Sequence, residues 1–305
     1  MGGELASIFL NAEGSEGCMV KIISDSTCDL SEALLELYGV ELLPLHILLD
    51  EDDRLDRTGI TPEEIFTWSD AHRATPKTAA FSVDEARQCF KPYLDAGENI
   101  MCFSISASMS ASYQNMRLAA AELNAEDRVC VIDSQNLSTG VGLQVIEAAI
   151  MAQQGASLRE IEQHILRIRP LVRASFVVDT LTYLHRGGRC SSVSALAGSA
   201  LRLHPRIAVI DGAMAAGKKY RGKLAHVIDA YVRDMEADLL RAQPERVFIT
   251  HSGCSREIVE SVRAYLTGLH HFDEVLETRA GGVISSHCGP GTLGVLYIAG
   301  DTVLA

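Results

Sequence analysis

The feature that most restricts how this chain can fold is an alternation. Short, mainly apolar runs recur through the first half: "MVKII" leads into Ser24-Asp25-Ser26, "NIMCFSI" into a serine-rich loop, and "RVCVID" into Ser134. Between them lie stretches of helical periodicity: "DLSEALLELYGV", Thr61 to Ser69, Val83 to Leu94, "SASYQNMRLAAAELN" and "TGVGLQVIEAAIMAQQG". A strand with no polar alternation is buried on both faces, and strands separated by helices run parallel. Residues 19–168 are therefore predicted to form an α/β domain around a mostly parallel sheet. "VELLPLHILL" reads as one more buried strand, at an edge or broken at Pro44, followed by a polar loop.

"SLREIEQHILRIRPLV" predicts a helix leading into a less regular second half. There, "ASFVVDTLTYL", "AVIDGAM", "RVFITHSG", "GVISSH" and "GVLYIAG" read as strands, and "HVIDAYVRDMEADLL" and "SREIVESVRAYLTGL" as helices. Residues 169–305 are expected to be a second α/β domain with hairpins, with a ligand site between the two. Residues 1–18 hold Gly2, Gly3, Gly14 and Gly17, and their apolar piece "LASIFL" lacks the basic flank of a signal peptide. They read as a flexible extension.

Bulk properties narrow the function. A chain of 305 residues with 47% hydrophobic and 22% charged residues has the balance of a soluble globular protein. Its net charge of −13 argues against nucleic acid as a partner. No apolar run approaches the length of a membrane span. The eight cysteines include no CxxC pair, so buried free thiols in a reducing, cytoplasmic setting are expected, with no metal and no cofactor.

In parallel α/β sheets, ligands bind beyond the carboxyl ends of the strands. Hydroxyl clusters fall there at Ser24 to Thr27, Ser104 to Ser112, Asp133-Ser134, and in the loop holding Thr78. Hydroxyls and loop amides at helix N-termini suit an anion, although the same residues serve as ordinary caps. Ser26 is open to both readings and is carried as a ligand-binding candidate. In "ISSHCGPGTLGVLYIAG" a strand over 282–286 is expected to stop at His287, held by a stiff Gly-Pro-Gly turn. "GAMAAGKKY" imitates a phosphate-binding loop but places Lys219 where a hydroxyl belongs, and Asp211-Gly212 reads better as a hairpin turn. Lys218, Lys219 and Arg221 then form a basic spot, either for docking a partner or simply solvated.

Seven segments in order resemble the DegV family of bacterial fatty-acid-binding proteins: "SDSTCDL", "PKTAAFS", "SISASMSASYQ", "DSQNLSTGVG", "TLTYLHRGGR", "YRGK" and "SSHCGPGTLG". The resemblance runs from about Lys21 to Gly300. It implies a two-domain α/β carrier that buries a long-chain fatty acid and presents its carboxylate to a separate fatty acid kinase. The product is acyl-phosphate for phospholipid synthesis, and transient membrane contact is compatible with that role. Position by position, it implies head-group roles for Thr78, Ser110 and His287, with Arg189 supporting the histidine. Departures fall at Ala111, at Ala79-Ala80-Phe81 and at Cys288, where the family usually carries other residues. "SALAGSALRL" could line or cover the tail. The competing class is a serine hydrolase or acyltransferase using Ser110 with His287 as base and Asp25 assisting. The absence of a GxSxG elbow disfavours an α/β-hydrolase.

Overall fold

A computed structural model of the chain describes residues 19–188 and 203–300. The N-terminal extension, Arg189 and most of "SALAGSALRL" fall outside the described residues. Four parallel strands form the first sheet, in the order β2 (Glu41–Leu43), β1 (Val20–Asp25), β6 (Asn99–Ser104) and β7 (Val129–Asp133). One face is covered by the helices Val83–Asp95 and Ser112–Glu122, which bury Phe90 and Met116 against Ile23, Ile100 and Cys102. Capping boxes start the helices at Thr61/Glu64, Ser82/Glu85 and Ser157/Glu160.

The other face packs on the helix Thr139–Gln153, in which every residue from Thr139 to Ile146 is buried. A helix apolar round most of its circumference belongs in an interior. Here its far side meets the second sheet: Val141, Val145 and Ile146 share one core with Met101 and Phe103 of β6 and with Phe248, Leu296 and Ile298 beyond. The second sheet has the order β10 (Ala213–Arg221), β9 (Leu203–Ile210), β8 (Val172–Val177), β13 (Thr292–Ala299), β11 (Ala242–Ser252) and β12 (Glu274–Arg279). It is antiparallel except for the pairing of β11 with β12. The helices Leu224–Arg233 and Arg256–Gly268 cover its outer face. The β9–β10 turn falls at Asp211-Gly212, both with positive φ (48° and 78°), as a type I′ hairpin requires.

Several local expectations change. "VELLPLHILL" is two strands in two sheets: β2 ends before Pro44, and β3 (His46–Leu49) pairs with β4 (Asp52–Leu55) and β5 (Lys77–Ala79). The supposed polar loop thus contains β4, and Thr78 sits on a strand. "DTLTYL" leaves the sheet after Val177 and becomes the helix Thr182–Gly187. β12 carried no clear sequence signal. The largest change concerns 282–286, expected as a strand and found as the helix Gly282–Cys288. Its β-branched residues are outweighed by tertiary partners at its start: Asp29 accepts the Gly281 N–H (2.8 Å) and Asp56 the Gly282 N–H (2.7 Å). Carboxylates there satisfy donors that a helix leaves orphaned and complement its dipole.

Candidate ligand site

A cavity of about 220 Å³ lies between the parallel-sheet and mixed-sheet parts of the chain. Three of the anticipated side chains line it: Thr78, Ser110 and His287. Thr78 is held by β5, whose partner across the ladder is Ile47 of β3. His287 comes from the last turn of the helix Gly282–Cys288, 209 positions later, and its Nε2 shares a 2.8 Å hydrogen bond with Thr78 Oγ1. The direction of that bond follows the ring's tautomer.

Ser110 lies on the loop between β6 and the helix Ser112–Glu122. Its Oγ pairs with Ser112 Oγ (2.9 Å) and accepts from the Ser112 N–H (3.3 Å). The N-cap residue of that helix, Ala111, makes no side-chain cap, so the positive end of the helix begins at the cavity. The loop is pinned on both sides. Ile105 N–H donates to Asp25 (2.8 Å), Ala107 N–H to Asp133 (3.0 Å), and Ser108 Oγ to the Gly212 carbonyl at the β9–β10 turn (2.5 Å).

The remaining walls are apolar: Leu45, Ile105, Met109, Leu137, Met214, Val283 and Ile284, with Cys288. A narrower crevice of about 20 Å³ adjoins, sharing Leu137, Ile284 and Cys288 and continuing to Phe176 and Leu296. The lining is amphipathic, combining two hydroxyls and an imidazole with aliphatic side chains. Met214 was missed by sequence reading because it sits within the false phosphate loop. That segment is plain β10, and Lys218 pairs with Asp234 (2.5 Å).

Ser26 is not among the cavity-lining residues. It is fully buried, donates to Asp56 (2.7 Å) and accepts the Leu45 N–H (3.1 Å), so its hydroxyl is committed to the framework. Ser134 Oγ accepts the Asn136 N–H (3.1 Å) and acts as a local turn cap. Asp25 accepts from Thr27 Oγ1, Thr27 N–H and Ile105 N–H, which leaves it no role beside the imidazole. Among the described residues there is no group of His, Cys, Asp and Glu that could hold a metal ion, and no helix long and apolar enough to cross a membrane.

Burial pushes the Asp29 carboxyl up to about 7 and that of Asp25 up to about 6, and it raises Asp56, while hydrogen bonds to each act the other way. A carboxyl with a folded-state pKa above its unfolded value keeps a proton that the unfolded chain releases. Its contribution to stability is complete below about 4 and is lost as pH rises to about 7. Unfolding free energy is therefore expected to decline from pH 5 to pH 7.5, each such carboxyl contributing up to about 1.4 kcal/mol per pH unit within its window. Asp29→Asn should flatten the upper part of the decline. Urea unfolding at several pH values checks this; stability rising with pH across the window would contradict it.

The fold and this cavity define a class: a two-part α/β protein with an amphipathic cavity where the parts meet. The chain belongs to the DegV family, since residues 19–300 match the family model described as "Uncharacterised protein, DegV family". A DegV domain-containing protein of Clostridium perfringens is 30% identical over 279 residues, covering 92% of this chain and 98% of the relative. A DegV family protein from Thermus thermophilus, whose structure is described as fatty acid binding, superposes with a TM-score of 0.84 at 29% identity, over 92% of this chain and 99% of that one. A stearic acid-binding protein from Eubacterium ventriosum superposes with a TM-score of 0.80 at 26% identity, over 94% and 100%. The two solved structures are described by fatty acid binding.

Proposed function

We propose that this chain binds a long-chain fatty acid in the cavity between its two parts and presents the carboxylate to a separate fatty acid kinase. The observation that carries the reading is that the Thr78–His287 pair and Ser110 line one otherwise mainly apolar cavity. A carboxylate taken out of water needs charge-assisted donors, and these residues supply hydroxyls and an imidazole N–H. The tail gains about 0.8 kcal/mol per buried CH₂. The kinase role rests on the family resemblance, as does a head-group role for Arg189. The division at residues 168/169 is part of the same proposal; it falls at the end of the helix Leu158–Ile168, before the chain enters the mixed sheet. A hydrolase reading is disfavoured because Ser110 pairs with Ser112 and His287 with Thr78.

Mass spectrometry of an organic extract of the purified protein tests the reading. Co-purifying fatty acid is expected; a clean extract together with esterase turnover abolished by Ser110→Ala would replace carrier by enzyme. A second measurement addresses aim. About eight buried methylenes give a gross ~6 kcal/mol, whereas one hydrogen bond to a charged group is worth about 1.5–3 kcal/mol. His287→Ala should therefore leave measurable binding, weakened about 10- to 100-fold. Kinase-dependent acyl-phosphate formation should fall further at saturating ligand, because a misaimed carboxylate transfers slowly. Equal losses would make His287 a plain affinity contact.

A further inference from the structure

The sequence marks "SDSTCDL" as a hydroxyl cluster at a strand end, but its carboxylates form the more unusual feature. Asp25, Asp29 and, after β4, Asp56 are all fully buried, and none of them lines the cavity. Each accepts a backbone N–H from a segment that does. Asp25 takes Ile105 N–H, where the Ser110 loop leaves β6 (2.8 Å). Asp29 and Asp56 take Gly281 N–H and Gly282 N–H, at the start of the helix that ends in His287 (2.8 and 2.7 Å).

The opposite oxygens are held as well. Thr27 Oγ1 donates to Asp25 (2.6 Å), Ser138 Oγ to Asp29 (2.5 Å) and Ser26 Oγ to Asp56 (2.7 Å). Arg57 is the cation that favours the charged forms of Asp29 and Asp56, which disfavour one another. Buried charge is an expensive way to hold backbone, and well-packed apolar residues often give equal or greater stability. What carboxyl oxygens add, with each oxygen holding its own donor, is directional restraint on particular N–H groups. The raised carboxyl pKa values of Asp25 and Asp29 reflect the same burial.

We infer that Asp25, Asp29 and Asp56 are positioning residues: together they set the distance between the Ser110 loop and His287, and thereby the site's preference for a carboxylate over a neutral head group. This rests on the carboxylate-binding reading above. The test titrates a fluorescent polyene fatty acid and its methyl ester against wild type and variants, taking the acid-to-ester affinity ratio as the readout. Overall loosening of the fold would weaken both ligands together and leave the ratio unchanged.

Wild type is expected to favour the acid at least tenfold. Asp29→Ala should lose tenfold or more for the acid and less than threefold for the ester. Should that variant fail to fold, Ser138→Ala and Thr27→Val remove single orienting hydroxyls and keep the backbone bonds to the carboxyls; each is expected to lower the ratio at least threefold. Variants that retain the wild-type ratio, or lose acid and ester equally, overturn the positioning role alone. A wild type that prefers neither ligand removes the carboxylate reading, and the inference with it.

Discussion

Gly187→Ala is expected to weaken carboxylate binding at least as much as removing His287 itself, about 10- to 100-fold. Gly187 closes the helix Thr182–Gly187, and a Cβ there would overlap Nδ1 of His287. The overlap forces a shift, and the imidazole, a side chain, yields more readily than helix backbone, which draws it away from Thr78. Alanine is otherwise the better helix former by about 1 kcal/mol, so the fold should tolerate the change. The loss therefore belongs to the site. Ligand titration with parallel thermal melts checks it; unchanged affinity in a folded variant would mean that His287 does not contact the ligand from its present place. Position 187, within "HRGGR", is where the backbone of one helix touches the ring carried by another.

Gly289→Ala should be among the most destabilising single methyl additions in the molecule, by about 2–6 kcal/mol. Gly289 has φ 76° and ψ 173°, a region open essentially to glycine alone, where other residues carry strain of about 1–3 kcal/mol. A Cβ would also lie 2.5 Å from the Tyr183 ring, and overpacking adds about 1–3 kcal/mol. The residue is fixed from both sides, since its N–H donates to the Ser285 carbonyl (2.8 Å) and its own carbonyl accepts from Ser252 Oγ. Urea unfolding measures the effect. Tyr183→Leu in the Gly289→Ala background separates the two causes, because a smaller side chain relieves the packing and leaves the backbone strain. A wild-type midpoint for Gly289→Ala would show that the turn rearranges freely.

Both predictions concern glycines in segments that local patterning describes only in part. Gly-Pro-Gly is legible as a turn. That His287 precedes it on a helix is not, because the groups that stabilise the helix start lie 252 and 226 positions earlier in the chain. Thr78 shows the same limit: Lys77-Thr78-Ala79 is three residues long with only Thr78 favouring a strand, and pairing with β3 makes it one. Ser26 misleads in the opposite direction. A hydroxyl at a strand end is a reasonable anion donor until Asp56, 30 positions on, claims it.

What the sequence determined by itself is whatever short-range periodicity and composition can carry. The parallel strands β1, β6 and β7 have apolar centres without regular polar alternation, and the first half of the helix Thr139–Gln153 is almost wholly apolar, so their burial between layers is legible from the residues. The serine loop, Thr78 and His287 were visible as polar residues near turns. Tertiary structure decided their convergence, the helix that bears the histidine, and the three buried carboxylates that hold loop and helix in place. The physical reason is the range of the forces involved. Burial preference is a property of each segment, whereas a hydrogen bond between Thr78 and His287, or between Asp29 and Gly281, exists only once two distant segments have been packed together by their apolar neighbours.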